Sequence, residues 1–157
     1  LKEFPDLELL VIGRLREGPT DQELKKEGIK EKVKFISDLT GRQIAELYAE
    51  STIAVSPSVY EGFGFPAGEA MSCGIPLIST NGGSLPEVVG DAAIVVPHSN
   101  PKALKDAIKL LLKSPEKRLD LGNKGRKRVL EKFTWKRAAK ELVEVYREAI
   151  ENANNRS

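Results

Sequence analysis

Two glutamates, Glu61 and Glu69, flank a glycine-rich segment near the middle of the chain, with seven residues between them. Gly62 and Gly64 in this segment permit a positive φ and a close approach of the backbone to a ligand. Pro66 follows and suits the first position of a helix. A glycine turn that opens into a helix directs free N–H groups and the positive end of the helix dipole toward one point. The segment therefore predicts an anion site.

The position of Glu69 restricts what the ligand is. Glu69 is expected in the first turn of the helix, and a carboxylate that touched a phosphate there would repel it. An ionised carboxylate only accepts hydrogen bonds, so Glu69 is expected to bind hydroxyl groups of the ligand. A ligand that carries both phosphate and hydroxyls is a nucleotide, or a nucleotide joined to a sugar.

The elements around this segment indicate an α/β fold. Residues 53–56 form a short apolar run, partly β-branched, that is typical of a buried strand, and Gly74 supplies a C-terminal stop for the helix. Strands are also predicted at residues 7–12, 33–36, 76–79 and 93–96, and helices at residues 42–50 and 84–89. Strands that alternate with helices favour a parallel sheet covered on both faces.

The last third of the chain has a helical pattern. Three helices are predicted, over residues 103–113, 115–132 and 134–151. In the first of these helices, the side chains expected to face the protein core are Ala103, Ala107, Leu110 and Leu111. The aromatic residues expected to pack in the core or to dock a helix are Phe133, Trp135 and Tyr146. The basic run 124–128 is typical of a solvated helix face.

Two smaller patterns predict local structure. Ser84 and Glu87 have the spacing of a capping box at the start of a short helix. His98 is the only histidine and lies in a polar turn, so an exposed loop position is expected for it.

Several motifs together resemble the C-terminal domain of retaining GT-B glycosyltransferases (glycosyl transferases group 1), which have two Rossmann-like domains. The motifs are the glutamate pair, Ser56-Pro57-Ser58 before it, residues 69–76 and 82–89, and Phe133-Thr134-Trp135. The resemblance covers almost the whole chain. It implies an α/β fold with a Rossmann-like parallel sheet flanked by helices and a helical C-terminal extension.

The resemblance also implies residue roles. Glu69 would bind the ribose hydroxyls, and Glu61 would contact hydroxyls of the transferred sugar and hold it for reaction. The backbone amides that would meet the sugar and the diphosphate are those of Gly62, Phe63, Gly64 and Phe65. Gly82 and Gly83 are expected to form a tight turn and are candidate donor contacts. Arg14 is a candidate substitute for the family's cations, because such enzymes stabilise the departing diphosphate by fixed dipoles and cations.

The implied function is transfer of a hexose from a nucleotide-diphosphate sugar to an unknown acceptor, with retention. The sequence contains no Asp-x-Asp cluster, so metal-independent transfer without a cofactor is expected. Residues 1–157 are interpreted as one donor-binding domain that lacks the family's first strand and helix and the N-terminal acceptor domain, which is its expected partner. The alternative is a non-catalytic nucleotide-sugar-binding module, or a subunit that needs a separate acceptor domain.

The composition and the remaining motifs argue against several other classes of protein. A net charge of +2 gives little support for nucleic-acid binding, and one cysteine forms no disulfide framework. No apolar run reaches the ~20 residues of a membrane span, so a cytoplasmic protein is predicted, with a peripheral position at the cytoplasmic face of a membrane as an alternative. Gly62, Gly64 and Gly68 resemble a relaxed dinucleotide fingerprint, but residues 79–81 lack the carboxylate that would hold the ribose.

Overall fold

The computed structural model describes residues 3–14 and 19–155. The chain divides into two compact units, Leu1–Ile44 and Ala45–Ser157. The division falls within helix α2 (Gly41–Glu50).

The first unit contains a two-stranded parallel sheet. Its elements are β1 (Leu9–Ile12), α1 (Pro19–Lys26), a 3₁₀ turn at Lys30–Lys32 and β2 (Val33–Ile36). Strand β1 begins later than predicted because the N–H of Leu7 bonds back to the carbonyl of Phe4 in a turn. Helix α1 lacks the apolar periodicity that would have predicted it. Strand β2 has the predicted bounds.

The second unit is a three-stranded parallel sheet, in the order β3-β4-β5, with helices. Its elements are β3 (Ala54–Ser56), α3 (Phe65–Ser72), β4 (Leu77–Thr80), α4 (Leu85–Val89), β5 (Ala93–Val96), α5 (Pro101–Lys113), α6 (Pro115–Lys132) and α7 (Trp135–Asn154). This architecture confirms the predicted fold class of a parallel sheet flanked by helices, with a long C-terminal helix.

Strand β4 shows that helices cover both faces of this sheet. Neighbouring strand residues point to opposite faces, and the adjacent residues Leu77 and Ile78 are both buried. Leu77 packs in a cluster with Met71 and Leu85 of α3 and α4. Ile78 packs in a second cluster that includes Leu111 of α5. The sheet therefore separates two cores, as a buried parallel sheet should.

Helices α3 and α6 pack closely because α6 carries glycine at the contact. A Cβ on Gly122 would collide with the backbone oxygen of Gly74, and one on Gly125 would lie 3.1 Å from the Cβ of Met71. Both glycines are buried. The glycine spacing in α6 is thus a packing feature that fixes α3, the helix that carries Glu69.

We expect Gly122→Ala to lower the free energy of unfolding by about 1–3 kcal/mol, the usual cost of overpacking a core. The matched control is Gly68→Ala in α3, where an added Cβ meets nothing within 4 Å. There the gain in helix propensity should stabilise the protein by about 0.5–1 kcal/mol. Urea unfolding of both variants without ligand measures the difference. Equal effects at the two positions would contradict the close contact.

The basic run in α6 was predicted as a solvated face; Arg126 is exposed as predicted, whereas Arg128 is only partly exposed. Arg126 donates to the carbonyl of Ser72 at 2.8 Å, at the end of α3. Arg128 donates to the carbonyls of Val88 and Glu87 at 2.8 and 2.7 Å, at the end of α4. The last carbonyls of a helix lack intrahelical partners and attract cations. These guanidinium groups therefore tie two helix ends to α6.

Two of the aromatic side chains that were predicted to pack in the core or to dock a helix lie exposed on α7. Trp135 is 90% exposed and Tyr146 is 59% exposed, whereas Phe133 just before the helix packs against the first core cluster. In α5, Ala107 and Leu111 are buried as predicted, but Leu110 is exposed. Helical spacing alone does not say which edge of an apolar face has a neighbour.

No helix among the described residues is both long and apolar enough to span a membrane.

Candidate functional site

Three loops meet where the strands of the second unit end. In a parallel sheet all strands end at the same edge, where α/β proteins bind ligands. Thr80 at the end of β4 donates its hydroxyl hydrogen bond to the carbonyl of Ser58, in the loop after β3. Asn81 accepts a hydrogen bond of 2.9 Å on Oδ1 from the N–H of His98, in the loop after β5. The loops after β3, β4 and β5 are therefore joined to one another.

Ser84 fixes the backbone of Glu61. The carbonyl of Glu61 accepts hydrogen bonds from both the N–H and the hydroxyl of Ser84, each 3.0 Å long. The predicted capping box with Glu87 is wrong, since the Ser84 side chain makes no capping bond to α4. Its hydroxyl bonds to the Glu61 loop instead. Ser84, a residue type that often caps helices, therefore holds the Glu61 loop of the candidate site.

Gly82 and Gly83 allow the loop after β4 to lie against the loop after β3. A Cβ on Gly82 would lie 2.5 Å from the carbonyl oxygen of Val59, and one on Gly83 would collide with the carbonyl oxygen of Glu61. Gly83 also has a φ of 61°, a conformation that favours glycine. The tight turn predicted here is present. A donor contact for these two residues stays a prediction.

The Glu61 carboxylate is half-buried and is oriented by a neighbouring hydroxyl. Ser58 donates a hydrogen bond of 2.7 Å from Oγ to Oε1 of Glu61. No described residue hydrogen-bonds to the other oxygen, Oε2. The structure therefore leaves one oxygen of Glu61 available to a ligand hydroxyl.

The backbone N–H groups of the glycine turn have no hydrogen-bond partner among residues 3–14 and 19–155. Gly64 has a φ of 95° and caps α3, and its carbonyl accepts bonds from the N–H groups of Ala67 and Gly68. The N–H groups of residues 62–65 bond to no other described residue. Unpaired N–H groups at a helix start form a ready anion site. The glycine turn and the helix start that the sequence predicted are therefore present, and anion binding there stays a prediction.

Helix α3 begins one residue earlier than predicted, which moves Glu69. The helix starts at Phe65, so Pro66 occupies its second position and Glu69 its fifth. Glu69 therefore lies in the second turn rather than the first. Its carboxylate is exposed and makes no hydrogen bond within the described part of the chain. It remains free to accept hydrogen bonds from a ligand.

The aromatic side chains of the turn serve different purposes. The Phe63 ring packs edge-on against Phe133 with centroids 5.6 Å apart, and its centroid lies 5.0 Å from that of Phe65. The guanidinium carbon of Arg128 lies over the Phe133 ring, 6.0 Å from its centroid. Phe63 thus anchors the glycine turn to the end of α6, while Phe65 stays 70% exposed.

Tyr48 of α2 neighbours Glu69 and was not predicted as a site residue. Its hydroxyl donates to the carbonyl of Pro66 at 3.3 Å, and its ring packs against the first core cluster. Burial raises the pKa of Tyr48, and the negative charges of Glu69 and Cys73 raise it further. The signal in the sequence was only an aromatic residue at helical spacing, which does not distinguish core from site.

The raised pKa of Tyr48 predicts a change in stability at alkaline pH. The folded state retains the phenolic proton more strongly than the unfolded state, whose pKa is near 10.0. Its contribution to stability is therefore complete below pH 10 and is lost as the pH rises through the folded-state pKa. We expect Tyr48→Phe to flatten the fall in unfolding midpoint above pH 10, with a change of at most about 1 kcal/mol at pH 7.

The matched control for this prediction is Tyr146→Phe, at an exposed position of α7. It should leave the alkaline pH profile of the unfolding midpoint as in the parent protein. Parallel profiles for the parent and Tyr48→Phe above pH 10 would contradict the assignment.

Arg14 lies in the first unit and already has a partner. Its Nη2 donates to both carboxylate oxygens of Asp38, at 2.7 and 2.8 Å. Hydrogen bonds from Ser37 and then Arg14 lower the pKa of Asp38. The proposed role of Arg14 in neutralising a diphosphate stays a prediction. A ligand phosphate would have to compete with this exposed ion pair.

His98 is exposed, as predicted, with Nδ1 3.3 Å from the hydroxyl of Ser99. In the part of the chain that the structure describes, no three His, Cys, Asp or Glu side chains come together as a metal site would require. Metal-independent chemistry stays a prediction.

The fold is α/β with parallel strands, the candidate site lies at the strand ends, and the sequence assigns the family. Residues 1–128 match the family described as glycosyl transferases group 1. The chain belongs to this family. Among curated relatives, MMP alpha-(1->4)-mannosyltransferase of Mycolicibacterium hassiacum is 38% identical over 149 residues, covering 92% of this chain. The chain spans only 36% of the length of that relative.

Solved structures support the same assignment. Sucrose-phosphate synthase of Thermosynechococcus elongatus matches 92% of this chain and 39% of its own, with 28% identity and a TM-score of 0.82. The C-terminal domain of a glycosyl transferase group 1 family protein from Francisella tularensis matches 85% of this chain and 73% of its own. That match has 27% identity and a TM-score of 0.74. The GT-B resemblance inferred from the motifs is confirmed at the level of family and fold.

Proposed function

We propose that this chain is the donor-binding part of a glycosyltransferase that takes a hexose from a nucleotide-diphosphate sugar. The observation that carries the proposal is the group of unpartnered N–H groups at residues 62–65, placed in sequence between two available carboxylates. N–H groups suit phosphate oxygens, and carboxylates suit the hydroxyls of ribose and sugar. A dinucleotide cofactor would require an acidic residue after β4, where the chain has Asn81.

In this proposal the Glu69 carboxylate accepts hydrogen bonds from the ribose hydroxyls. Oε2 of Glu61 accepts a hydrogen bond from a hydroxyl of the transferred sugar. The N–H groups of residues 62–65 stabilise the negative charge that grows on the departing diphosphate. Gly82 and Gly83 support the Glu61 loop and border the donor. The transfer is proposed to retain the anomeric configuration and to need no metal, both from the resemblance in motif.

The choice of a hexose has support from the relatives. The similar protein from Mycolicibacterium hassiacum is named as a mannosyltransferase, and so is one from Escherichia coli that is 33% identical over 115 residues. The sugar and the base of the donor for this chain are left to experiment. A cytoplasmic location, with or without contact to a membrane surface, stays a prediction.

The expected partner is an N-terminal acceptor-binding domain. The chain spans 36% of the mannosyltransferase relative, so such a protein has ample further length. Helix α7 offers a contact surface. It is 20 residues long and carries exposed apolar side chains on one face, namely Trp135, Leu142, Tyr146 and Ile150. An apolar stripe at helical spacing normally faces another element.

The test is thermal unfolding of the chain with UDP, GDP and ADP, with their sugar conjugates, and with NAD as a control. A ligand at 100 times its Kd adds about 2.7 kcal/mol of stability, or roughly 5–10 °C for a chain of this length. We expect a shift with one nucleotide family. A shift with NAD alone, or with none of these ligands, would contradict the proposal.

The alternative of a non-catalytic nucleotide-sugar-binding module differs only in transfer. Addition of a separate N-terminal domain of a relative to the chain, with the donor that it binds, tests for turnover. Transfer by the chain alone would exclude the module. Donor binding without transfer in either condition would favour it.

A further inference from the structure

We propose that Ser58 is a positioning residue that sets the sugar preference of this site by orienting the carboxylate of Glu61. The inference rests on the proposed function and adds to it a residue for which the family resemblance gave no role. Its direct basis is the 2.7 Å hydrogen bond from Ser58 Oγ to Glu61 Oε1.

This hydrogen bond limits the orientations open to the half-buried Glu61 side chain. A carboxylate has two oxygens that only accept hydrogen bonds. With Oε1 occupied by Ser58, the remaining oxygen of Glu61 points in one direction before any ligand arrives. A sugar that places a hydroxyl donor there is preferred over one that does not. Orientation in advance reduces the cost of ordering the side chain on binding.

Ser58 can act in this way because its own backbone is held. Its carbonyl accepts the hydrogen bond from the Thr80 hydroxyl at the end of β4. The backbone of Gly82 approaches so closely that an added Cβ would lie 2.7 Å from the same carbonyl oxygen. The backbone of Glu61 is fixed in turn by Ser84. The two ends of the Ser58–Glu61 hydrogen bond are therefore attached to the end of β4 and to the loop that follows it.

The hydrogen bond between Ser58 and Glu61 should affect binding of the sugar without affecting binding of the nucleotide. Glu69 lies on α3 and makes no hydrogen bond to Ser58 among the described residues, so loss of the Ser58 hydroxyl should leave the ribose contact intact. A merely structural serine would instead weaken all ligands together or lower the stability of the fold. The two outcomes are distinguishable by measuring the nucleotide and its sugar conjugate in parallel.

The experiment is calorimetric titration of the chain with matched probes: UDP and UDP-glucose, GDP and GDP-mannose, and ADP and ADP-glucose. For the pair that binds, the ratio of the nucleotide Kd to the sugar-nucleotide Kd reports the contribution of the sugar. We expect Ser58→Ala to lower this ratio by roughly 2- to 10-fold, the cost of ordering one side chain. The Kd for the nucleotide alone should stay within about 2-fold of the parent value, since Ser58 is not expected to touch it.

Two substitutions of equal shape serve as the control if Ser58→Ala perturbs folding. Ser58→Thr keeps the hydroxyl and Ser58→Val replaces it with a methyl group. We expect Ser58→Thr to preserve more of the ratio than Ser58→Val, at similar unfolding midpoints. Equal ratios for these two variants would overturn the inference.

Glu61→Ala separates failure of this inference from failure of the proposed function. If Glu61→Ala lowers the ratio and the Ser58 variants do not, Ser58 has no positioning role and the donor site stands. If Glu61→Ala leaves the ratio unchanged, Glu61 does not contact the sugar, and both the inference and that part of the proposed function are wrong.

Discussion

Replacing Glu69 with alanine should weaken nucleotide binding by roughly 10- to 100-fold, with little change in protein stability. Hydrogen bonds to a charged group contribute about 1.5–3 kcal/mol, and the exposed Glu69 carboxylate bonds to no described residue that would lose a partner. The loss should be similar for a nucleotide and for its sugar conjugate, because both carry the ribose. Calorimetric titration with the nucleotide identified by thermal shift measures this effect.

The control for Glu69→Ala is Glu148→Ala, an exposed glutamate in the middle of α7. It removes the same charge from the chain and should leave the affinity within about 2-fold of the parent value, apart from small long-range electrostatics. An equal loss of affinity in both variants would mean that net charge, and not a ribose contact, is responsible.

Replacing Gly83 with alanine should have the largest effect on stability at this site, lowering the free energy of unfolding by about 2–4 kcal/mol. A left-handed backbone costs an L-residue about 1–2 kcal/mol, and Gly83 has a φ of 61°. A further cost of about 1–3 kcal/mol arises from overpacking, because the new Cβ would collide with the carbonyl of Glu61 and lie 2.9 Å from its nitrogen. The unfolding midpoint should fall by roughly 5–15 °C.

The matched control is Gly74→Ala, which isolates the strain of the backbone. Gly74 has a φ of 75°, but the nearest atoms to an added Cβ are 3.9 and 4.0 Å away. Only the conformational cost of about 1–2 kcal/mol should therefore remain. If Gly83→Ala were no worse than Gly74→Ala, the close contact between the loops after β3 and β4 would be wrong.

Sequence reasoning predicted the features that depend on local chemistry. The glycine turn, the stop at Gly74 and the alternation of strands and helices all follow from backbone preferences that act within a few residues. The resemblance in motifs then led to the family, which the comparison confirmed. The helix start moved by one residue, to Phe65, because Gly64 and not Phe65 adopts the capping conformation.

The errors arose where a long-range contact overrode a local preference. Ser84 has the spacing of a capping box, yet its hydroxyl bonds to Glu61, 23 residues away. Arg128 was predicted as a solvated side chain, yet it bonds to carbonyls of α4 that are 40 and 41 residues away. Trp135 was predicted to pack in the core or to dock a helix, and its side chain is exposed. The spacing of residues within one helix or strand does not predict these contacts or the exposure of Trp135.

The most direct test of a donor site at the strand ends is an NMR titration of the uniformly ¹⁵N-labelled chain with the nucleotide sugar that binds. We expect the largest amide shifts on residues 62–65, with further shifts at Gly82, Gly83 and Glu69. Shifts that cluster on α5 or α7, with residues 62–65 unchanged, would contradict the assignment of this edge as the donor site.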